Sequence, residues 1–180
     1  MNVRLRLGVL GVVATATALL GALPASAAQA SPVHPMGLGP GQYGNIVNSA
    51  SRACVDVRSE DGSDTDGAHV QNYHCTGNSG QHWNERATGL NDGSLFIVNE
   101  HSGKCLDGGQ FWTVQWSCGY VPQQEWHLHT VPGAGAGQFQ LVNGYGKCLT
   151  LTSGNGADHQ LLSDDTCVTN NWYGQLWEIY

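Results

Sequence analysis

The sequence repeats one short set of motifs three times. Each copy has a β-rich run ending in Asn, then two separated cysteines, then a Gln-x-Trp triplet that ends at Trp83, Trp126 or Trp177. The period is about forty to fifty residues, with the length differences absorbed in loops. Because one such unit cannot bury its own apolar face, three units must share a core. The repeat therefore predicts a single domain with approximate threefold symmetry.

The segments inside each copy indicate short strands. Runs such as Phe96-Ile97-Val98 are rich in β-branched and aromatic residues, and Gly- and Asn-rich stretches at 77–80, 91–93 and 133–137 indicate turns. No apolar spacing of three and four residues persists long enough to predict a helix. The predicted fold class is all-β.

All six cysteines lie within the repeats, two in each copy. Pairing inside each copy is the simplest connectivity, and it predicts the disulfide bonds Cys54–Cys75, Cys105–Cys118 and Cys148–Cys167. The loops that these bonds close are short, so each bond contributes about 3 kcal/mol in the chain-entropy model. An even number of cysteines in repeats of this kind is typical of an oxidising compartment.

The N-terminus predicts export from the cell. Arg4 and Arg6 precede an apolar run of about seventeen residues, and the segment closes with small residues in an Ala-x-Ala pattern. These features predict a secretory signal peptide over residues 1–30, and the apolar run is short for a membrane span. Cleavage after Ala27 and cleavage after Ala30 both fit the pattern. We therefore expect a secreted protein.

The mature chain is predicted to comprise a flexible N-terminal arm, rich in Pro and Gly, at residues 31–41 and one folded domain at residues 42–180. The chain has seven basic and fourteen acidic residues, for a formal net charge of −7. Nucleic acid and anionic lipid need basic partners, so we predict neither nucleic-acid binding nor membrane insertion. A surface rich in Gly, Asn, Gln, Ser and Thr suits neutral, hydroxyl-rich partners.

Three Gln-x-Trp triplets lie in register with the cysteine pairs, and the first two repeats also have a Cys-Val-Asp or Cys-Leu-Asp step and an aromatic-x-Cys step. This pattern resembles the ricin B-chain-like lectins and the family 13 carbohydrate-binding modules. The resemblance covers residues 42–180 and implies a β-trefoil of twelve short strands in three pseudo-symmetric repeats. Trp83, Trp126 and Trp177 are predicted to lie in the core. Their neighbouring glutamines are predicted to pair with buried backbone groups.

In proteins that this chain resembles, the aspartate after the first cysteine of a repeat binds sugar hydroxyls, and an aromatic ring two residues before the second cysteine covers the sugar's C–H face. In the first repeat these residues are Asp56 and Tyr73, with the amide of Gln71 on the same strand face. Asn78 lies close to Gly80, which stands where the family usually has an asparagine. The resemblance thus implies a sugar-binding site in the first repeat.

The second repeat keeps the same pair as Asp107 and Trp116, and the amide of Gln123 stands where the family has asparagine. Val114 takes the place that Gln71 has in the first repeat. Two working sites are therefore expected.

In the third repeat, Thr150 replaces the aspartate and Asp165 replaces the aromatic residue, so this repeat is interpreted as structural. Trp172 and Tyr173 stay open as parts of a site unlike that of the family.

These observations predict a non-catalytic lectin that recognises galactose- or xylose-type sugars in glycans or polysaccharides. The alternative is a trefoil used for protein contact, such as a secreted inhibitor. No catalytic residues are predicted; a glycosidase that uses paired carboxylates is the third hypothesis. The oligomeric state stays open.

No metal or cofactor is predicted. The acidic segment 60–67 resembles part of a calcium loop but lacks suitable ligands at both ends, and it is interpreted as a solvated loop. His127 and His129 share a strand face, but no third metal ligand is evident beside them.

Overall fold

A computed structural model describes Leu38 and residues 41–109, 111–153, 156–170 and 172–180 of the chain. The predicted signal peptide lies outside these residues, as does the predicted arm apart from Leu38 and Gly41. The described residues form thirteen β-strands and four 3₁₀ helices, without an α-helix. In this part of the chain, no helix is both long enough and apolar enough for a membrane crossing.

The strands follow the three sequence repeats. The first repeat contains β1 (Gly44–Asn48), β2 (Cys54–Val57), β3 (Val70–Tyr73) and β4 (His82–Ala87). The second contains β5 (Leu95–Asn99), β6 (Cys105–Asp107), β7 (Val114–Trp116) and β8 (Trp126–His129). The third contains β9 (Gln140–Asn143), β10 (Lys147–Thr150), β11 (Gln160–Leu161), β12 (Ser163–Thr166) and β13 (Trp177–Ile179). The 3₁₀ helices are Ser59–Asp61, Ser79–Gln81, Pro122–Gln124 and Tyr173–Gln175.

The outer strands of the repeats form a closed ring. Strand β1 pairs with β4, β4 with β5, β5 with β8, β8 with β9, and β13 with β1, all antiparallel. A bridge between Phe139 and Trp177 joins the third repeat to itself and completes the ring. The inner strands form three hairpins, β2–β3, β6–β7 and β10–β12. This architecture is a β-trefoil, and the predicted all-β class and threefold repeat are confirmed.

The strand count differs from the expected twelve because one inner strand of the third repeat is divided at Leu162. Strand β11 pairs with β3 of the first repeat, whereas β12 pairs with β10 of its own repeat. The change of partner falls where Leu162 donates its N–H to Val70 O at 2.9 Å.

That contact belongs to a ring of three backbone hydrogen bonds where the hairpins converge. Val70 N–H donates to Thr113 O at 2.9 Å, and Thr113 N–H donates to Leu162 O at 2.8 Å. Each repeat therefore donates to one neighbour and accepts from the other. Because buried backbone groups need partners, this ring fixes the three hairpins against one another.

The tryptophans of the Gln-x-Trp triplets are fully buried, as the sequence predicts. Each indole N–H donates to the carbonyl of the residue after the first cysteine of its repeat. The three bonds join Trp83 to Val55 at 2.9 Å, Trp126 to Leu106 at 2.9 Å, and Trp177 to Leu149 at 3.1 Å. Leu38, which lies within the predicted arm, packs against the same core.

The disulfide bonds are those predicted, with one bond inside each repeat. They join Cys54 to Cys75, Cys105 to Cys118, and Cys148 to Cys167. Each bond links the first strand of an inner hairpin to the segment just after its second strand. The hairpins are thereby held at one end by a disulfide bond and at the other by the backbone ring on the axis.

Candidate functional site

The hairpin of β2 and β3 brings together the residues that the sequence predicts for the first repeat. Asp56 is the cross-strand partner of Gln71, and Cys54 is the partner of Tyr73. Side chains two residues apart in a strand point to the same face of the sheet. Asp56, Gln71 and Tyr73 therefore share a face, and we call the cleft on this face site 1.

Site 1 has a volume of about 490 Å³ and is lined by all four predicted residues of the first repeat, including Asn78. Asp56 is buried, with 6% of its surface exposed. The Gln71 amide donates from Nε2 to Asp56 Oδ2 at 2.7 Å. Tyr73 is partly exposed at the cleft wall. The cleft thus presents an oriented carboxylate and an accessible aromatic ring to one space.

Burial raises the pKa of the Asp56 carboxyl, and hydrogen bonds from Gln71 and Gln81 partly offset this rise. Burial disfavours the charged form of an acid, so ionised Asp56 is not a strong contributor to folding stability. Donor groups on a ligand that fills the cleft would stabilise the carboxylate further. The electrostatics of the site therefore favour a partner that brings hydroxyl or amide hydrogens.

Gly80 leaves room for the amide of Asn78 beside the carboxylate. A Cβ atom added at Gly80 would lie 3.1 Å from Asn78 Oδ1 and 3.9 Å from Asp56 Oδ1. The Asn78 amide is anchored because its Nδ2 donates to Thr76 Oγ1 at 2.6 Å. Asn78 thus brings an amide close to the position where the family usually has asparagine.

The hairpin of β6 and β7 repeats this arrangement as site 2, a cleft of about 460 Å³. Asp107 is the cross-strand partner of Val114, and its surface is 7% exposed. Trp116 is 47% exposed and provides a wider ring than Tyr73 does in site 1. Val114 and Val121 also line the cleft, so site 2 is the more apolar of the two.

Asp107 is held by two donors. Gln124 donates from Nε2 to Asp107 Oδ2 at 2.8 Å, and the N–H of Gly109 donates to Oδ1 at 3.2 Å. Burial raises the pKa of the Asp107 carboxyl, as it does for Asp56. Gln123 lines the same cleft and packs over Gly109, where an added Cβ would lie 2.9 Å from Gln123 Cγ.

The corresponding place in the third repeat, which we call the third position, has different chemistry. Thr150 is the partner of Ser163, and Cys148 is the partner of Asp165, which is the register that the sequence alignment of the repeats implies. Thr150 is fully buried; its hydroxyl donates to Cys148 O at 2.7 Å and accepts from Gln175 Nε2 at 3.0 Å. The exposed Asp165 accepts a hydrogen bond from Ser163 at 2.9 Å. A carboxylate therefore replaces the aromatic platform.

The glutamines of the three Gln-x-Trp triplets are buried and bind backbone groups, as predicted. Each side-chain oxygen accepts the N–H of the residue after the second cysteine: Gln81 from Thr76 at 2.7 Å, Gln124 from Gly119 at 2.8 Å, and Gln175 from Val168 at 2.9 Å. Each side-chain nitrogen donates to the carbonyl just before that cysteine. This bracing is the same in all three repeats, so it supports the fold as well as the sites.

Site 1 also contains residues that the sequence analysis missed. His159 from the third repeat and His101 from the second line the cleft. The motifs of one repeat give no local signal for a residue that enters its cleft from a neighbouring repeat. The histidines become recognisable only when the three repeats are placed around one axis.

The acidic segment 60–67 is solvated, as expected, since Glu60, Asp64 and Asp66 are exposed, and some of its carboxylates also make hydrogen bonds. Asp61 accepts hydrogen bonds from the backbone and ring of His69, at 3.1 and 2.7 Å. Asp66 accepts from Lys104 Nζ at 2.7 Å and from Ser117 N at 2.8 Å. Among the residues that the structure describes, no group of three or more His, Cys, Asp or Glu side chains is arranged to hold a metal ion.

The β-trefoil fold, with a buried aspartate beside an aromatic ring in two of its three inner hairpins, agrees with the resemblance to lectin domains. The model of the ricin-type β-trefoil lectin domain-like family matches the chain at residues 36–113 and again at residues 86–163. The chain belongs to this family.

Solved structures share the fold. The designed threefold-symmetric protein ThreeFoil has 28% identity and a TM-score of 0.66, and the match covers 76% of this chain and 96% of that one. The ricin B-like lectin of Macrolepiota procera, solved with lactose, has 20% identity and a TM-score of 0.62, with 77% and 94% covered. An exo-β-1,3-galactanase from Clostridium thermocellum has 21% identity and a TM-score of 0.67; the match covers 77% of this chain but 30% of that one. No curated protein matches the chain.

Proposed function

We propose that the protein is a secreted, non-catalytic lectin that binds sugars through site 1 and site 2. The observation that carries the proposal is the pairing of a buried carboxylate with an accessible aromatic ring in two clefts. The third position has the same hairpin, disulfide bond and glutamine brace but lacks that pair. Since the fold forms there without the pair, binding of a ligand is the better explanation for it in the other two repeats.

In each site the ionised aspartate accepts hydrogen bonds from adjacent sugar hydroxyls, and such charge-assisted bonds are stronger than neutral ones. The ring of Tyr73 or Trp116 covers the apolar C–H face of the sugar. The amides of Gln71, Asn78 and Gln123 supply further donors and acceptors. Galactose- and xylose-type sugars, in glycans or polysaccharides, are the proposed ligands.

Two features support the ligand class and the location. Solved structures of the same fold include one in complex with lactose and one bound to the asialo-GM1 saccharide. The three disulfide bonds suit an oxidising, extracellular space, in agreement with the predicted signal peptide. Two sites on one domain would raise the avidity for a repetitive glycan by about 10²–10⁴ over a single site.

The test is binding of the protein to immobilised galactose-, lactose- and xylose-terminated glycans, with the free sugars as competitors. The double variant Asp56→Ala/Asp107→Ala removes both carboxylates. Asp165→Ala is the matched control, because it removes an exposed carboxylate from the third position.

We expect saturable binding that one free sugar competes, that the control retains and that the folded double variant loses. Binding that survives the double variant, or no binding to any glycan, would contradict the proposal. A protein partner captured equally well by the wild type and the double variant would favour the alternative, a trefoil that makes protein contacts through its loops. Release of reducing ends from a polysaccharide would show an enzyme instead.

A further inference from the structure

One wall of site 1 is built by the third repeat, whose own position lacks the aspartate and the aromatic ring. His159 lies just before β11 and lines the cleft. Its ring packs edge-on against Tyr73, with the centroids 4.8 Å apart and the planes at 61°. Its Nδ1 lies 3.3 Å from Gln71 Oε1. His159 thus contacts both the platform and the amide of the site.

The hydrogen-bond pattern fixes which atom of His159 carries a proton. An ionised carboxylate only accepts, so Gln71 presents its Nε2 to Asp56 and its Oε1 to His159. His159 Nδ1 must then be the donor, and in the neutral ring Nε2 is an acceptor. His159, Gln71 and Asp56 form a chain of hydrogen bonds that runs from the third repeat to the first. This chain orients both the Gln71 amide and the Asp56 carboxylate.

The neighbouring residue Asp158 holds the strand that carries the platform. It accepts the N–H of His74 at 2.7 Å and the ring Nδ1–H of His74 at 2.8 Å. Hydrogen bonds from the side chain and the backbone of His74 hold the pKa of Asp158 below its ordinary value. The His74 ring packs against Tyr73, with the centroids 4.3 Å apart and the planes tilted by 33°. Asp158 therefore fixes the residue that follows the platform and that packs on it.

In site 2, an aspartate of the first repeat likewise accepts the N–H of the residue that follows the aromatic platform. Asp66 accepts the N–H of Ser117, which follows the platform Trp116, at 2.8 Å. The adjacent Gly67 lies under the ring, since an added Cβ would be 3.4 Å from Trp116 Cζ3. An aspartate from a neighbouring repeat therefore braces the platform in both sites.

The two aspartates occupy equivalent places in their repeats. Asp158 lies four residues before Leu162, and Asp66 lies four residues before Val70, where these two residues belong to the backbone ring on the axis. Gly109 stands at the equivalent place before Thr113. An aspartate is therefore present at this place in the two loops that lie beside an aromatic platform. Glycine replaces it in the second repeat.

The backbone of His159 has an uncommon conformation for a residue with a side chain, with φ at 65°. A positive φ at a residue other than glycine is strained and persists where the surroundings hold it. Here it accompanies the contacts of the ring with Tyr73 and Gln71.

We propose that site 1 is a composite site, in which His159 of the third repeat contacts the bound sugar and Asp158 is a positioning residue for the Tyr73 platform. The inference rests on the proposed function of site 1 as a sugar-binding cleft. It also assigns a role in binding to the third repeat.

The experiment measures the affinity of site 1 alone, in protein whose site 2 has been inactivated by Asp107→Ala. Lactose and xylose are titrated while the NMR signals of the Tyr73 ring are followed. His159→Gly removes the ring and suits the positive φ. His159→Asn keeps a donor near the place of Nδ1 and tolerates the same backbone conformation. Asp158→Ala removes both hydrogen bonds with His74, whereas Asp158→Asn keeps an acceptor for the His74 N–H. Asp165→Ala is the matched control.

We expect His159→Gly to weaken binding about tenfold and Asp158→Ala about threefold, as lost hydrogen bonds would. His159→Asn and Asp158→Asn should recover part of the loss, and Asp165→Ala should bind like the parent protein. Folding is checked by the unchanged indole signals of the buried tryptophans.

If His159→Gly binds within twofold of the parent while Asp56→Ala abolishes binding, the composite site is overturned and the lectin proposal stands. If Asp165→Ala weakens binding as much as Asp158→Ala does, the positioning role is overturned, because a general effect of the third repeat then explains the loss. If neither sugar shifts the Tyr73 signals and wild-type protein also binds no glycan, the proposed function and the composite site both fail.

Discussion

The hairpin β2–β3 and the hairpin β10–β12 are built alike but have different chemistry in the cleft. Both have an intra-repeat disulfide bond, a buried tryptophan bonded to the inner strand, and a glutamine that braces the loop. In the first hairpin a desolvated carboxylate lies beside an aromatic ring. In the second, a buried threonine hydroxyl is satisfied within the fold.

This difference separates what the fold requires from what the sites require. The tryptophans, glutamines and disulfide bonds recur in all three repeats, so they are the requirements of the trefoil. The Asp56–Tyr73 and Asp107–Trp116 pairs are absent from the third position, so the trefoil does not require them. Variants of the first group should therefore change stability, and variants of the second group should change binding.

The largest effect is expected from truncating the core tryptophans, and it should be similar in every repeat. Trp83→Ala, Trp126→Ala and Trp177→Ala each remove a fully buried ring and one hydrogen bond. Each should lower the free energy of unfolding by about 3–5 kcal/mol, measured by chemical denaturation. A loss below about 1 kcal/mol for Trp177→Ala alone would show that the third repeat does not share the core equally.

Placing the carboxylate in the third position should destabilise the protein. Thr150→Asp replaces a satisfied hydroxyl with a buried charge beside Gln175, and we expect a loss of about 1–3 kcal/mol at pH 7. The loss should diminish at acid pH, where the new carboxyl is protonated. Thr150→Ser is the matched control. If Thr150→Asp is as stable as the wild type, the third position tolerates a buried carboxylate without cost, which contradicts the prediction.

The platform of site 2 should matter for binding and little for folding. Trp116→Ala removes a ring that is 47% exposed, so the unfolding free energy should change little. The affinity of site 2 for the sugar that binds should fall about tenfold to a hundredfold, which corresponds to about 1.4–2.7 kcal/mol. Trp116→Tyr should retain most of the affinity. A large loss of stability with unchanged affinity would show that Trp116 serves the fold and not the binding site.

Acidification should reduce binding before it unfolds the protein. Because burial raises the pKa of Asp56 and Asp107, both lose their charge at a higher pH than an exposed aspartate does, and affinity should fall there. Protonation of these two groups favours the folded state, since their pKa is higher in it. Hydrogen bonds from Tyr180 and Arg52 lower the pKa of Glu178 to about 2, so its contribution to stability is lost only as the pH falls from 4.5 towards 2.

Parallel titrations of binding and of circular dichroism from pH 7 to pH 2 test this order. Loss of structure at or above the pH at which binding is lost would contradict it.

Much of the fold could be predicted from the sequence because its requirements recur three times. The local patterns that predict it are the Gln-x-Trp triplets, the cysteine pairs and the strand register around Asp56 and Asp107. Because such patterns recur along the chain, they are distinguished from accidental matches. The division of the inner strand at Leu162 could not be predicted, because it depends on a backbone hydrogen bond to Val70 of another repeat.

The candidate sites were predictable to the extent that each lies within one hairpin. Asp56, Gln71 and Tyr73 come together because strand pairing fixes their face. The contributions of neighbouring repeats were not predictable: His159 lines site 1 from the third repeat, and Asp66 of the first repeat accepts a hydrogen bond from Ser117 beside site 2. Only the arrangement of the repeats around the axis determines which loop lies beside which hairpin.

The most direct test of the separation between fold and site is the isosteric variant Asp56→Asn, with unfolding and site 1 binding measured on the same sample. The amide keeps an acceptor for Gln71 and removes the desolvated charge. We expect an unfolding free energy at pH 7 that is unchanged or higher by up to about 1 kcal/mol, together with loss of sugar binding at site 1. Retained sugar binding with a loss of several kcal/mol in stability would contradict it and make Asp56 a structural residue.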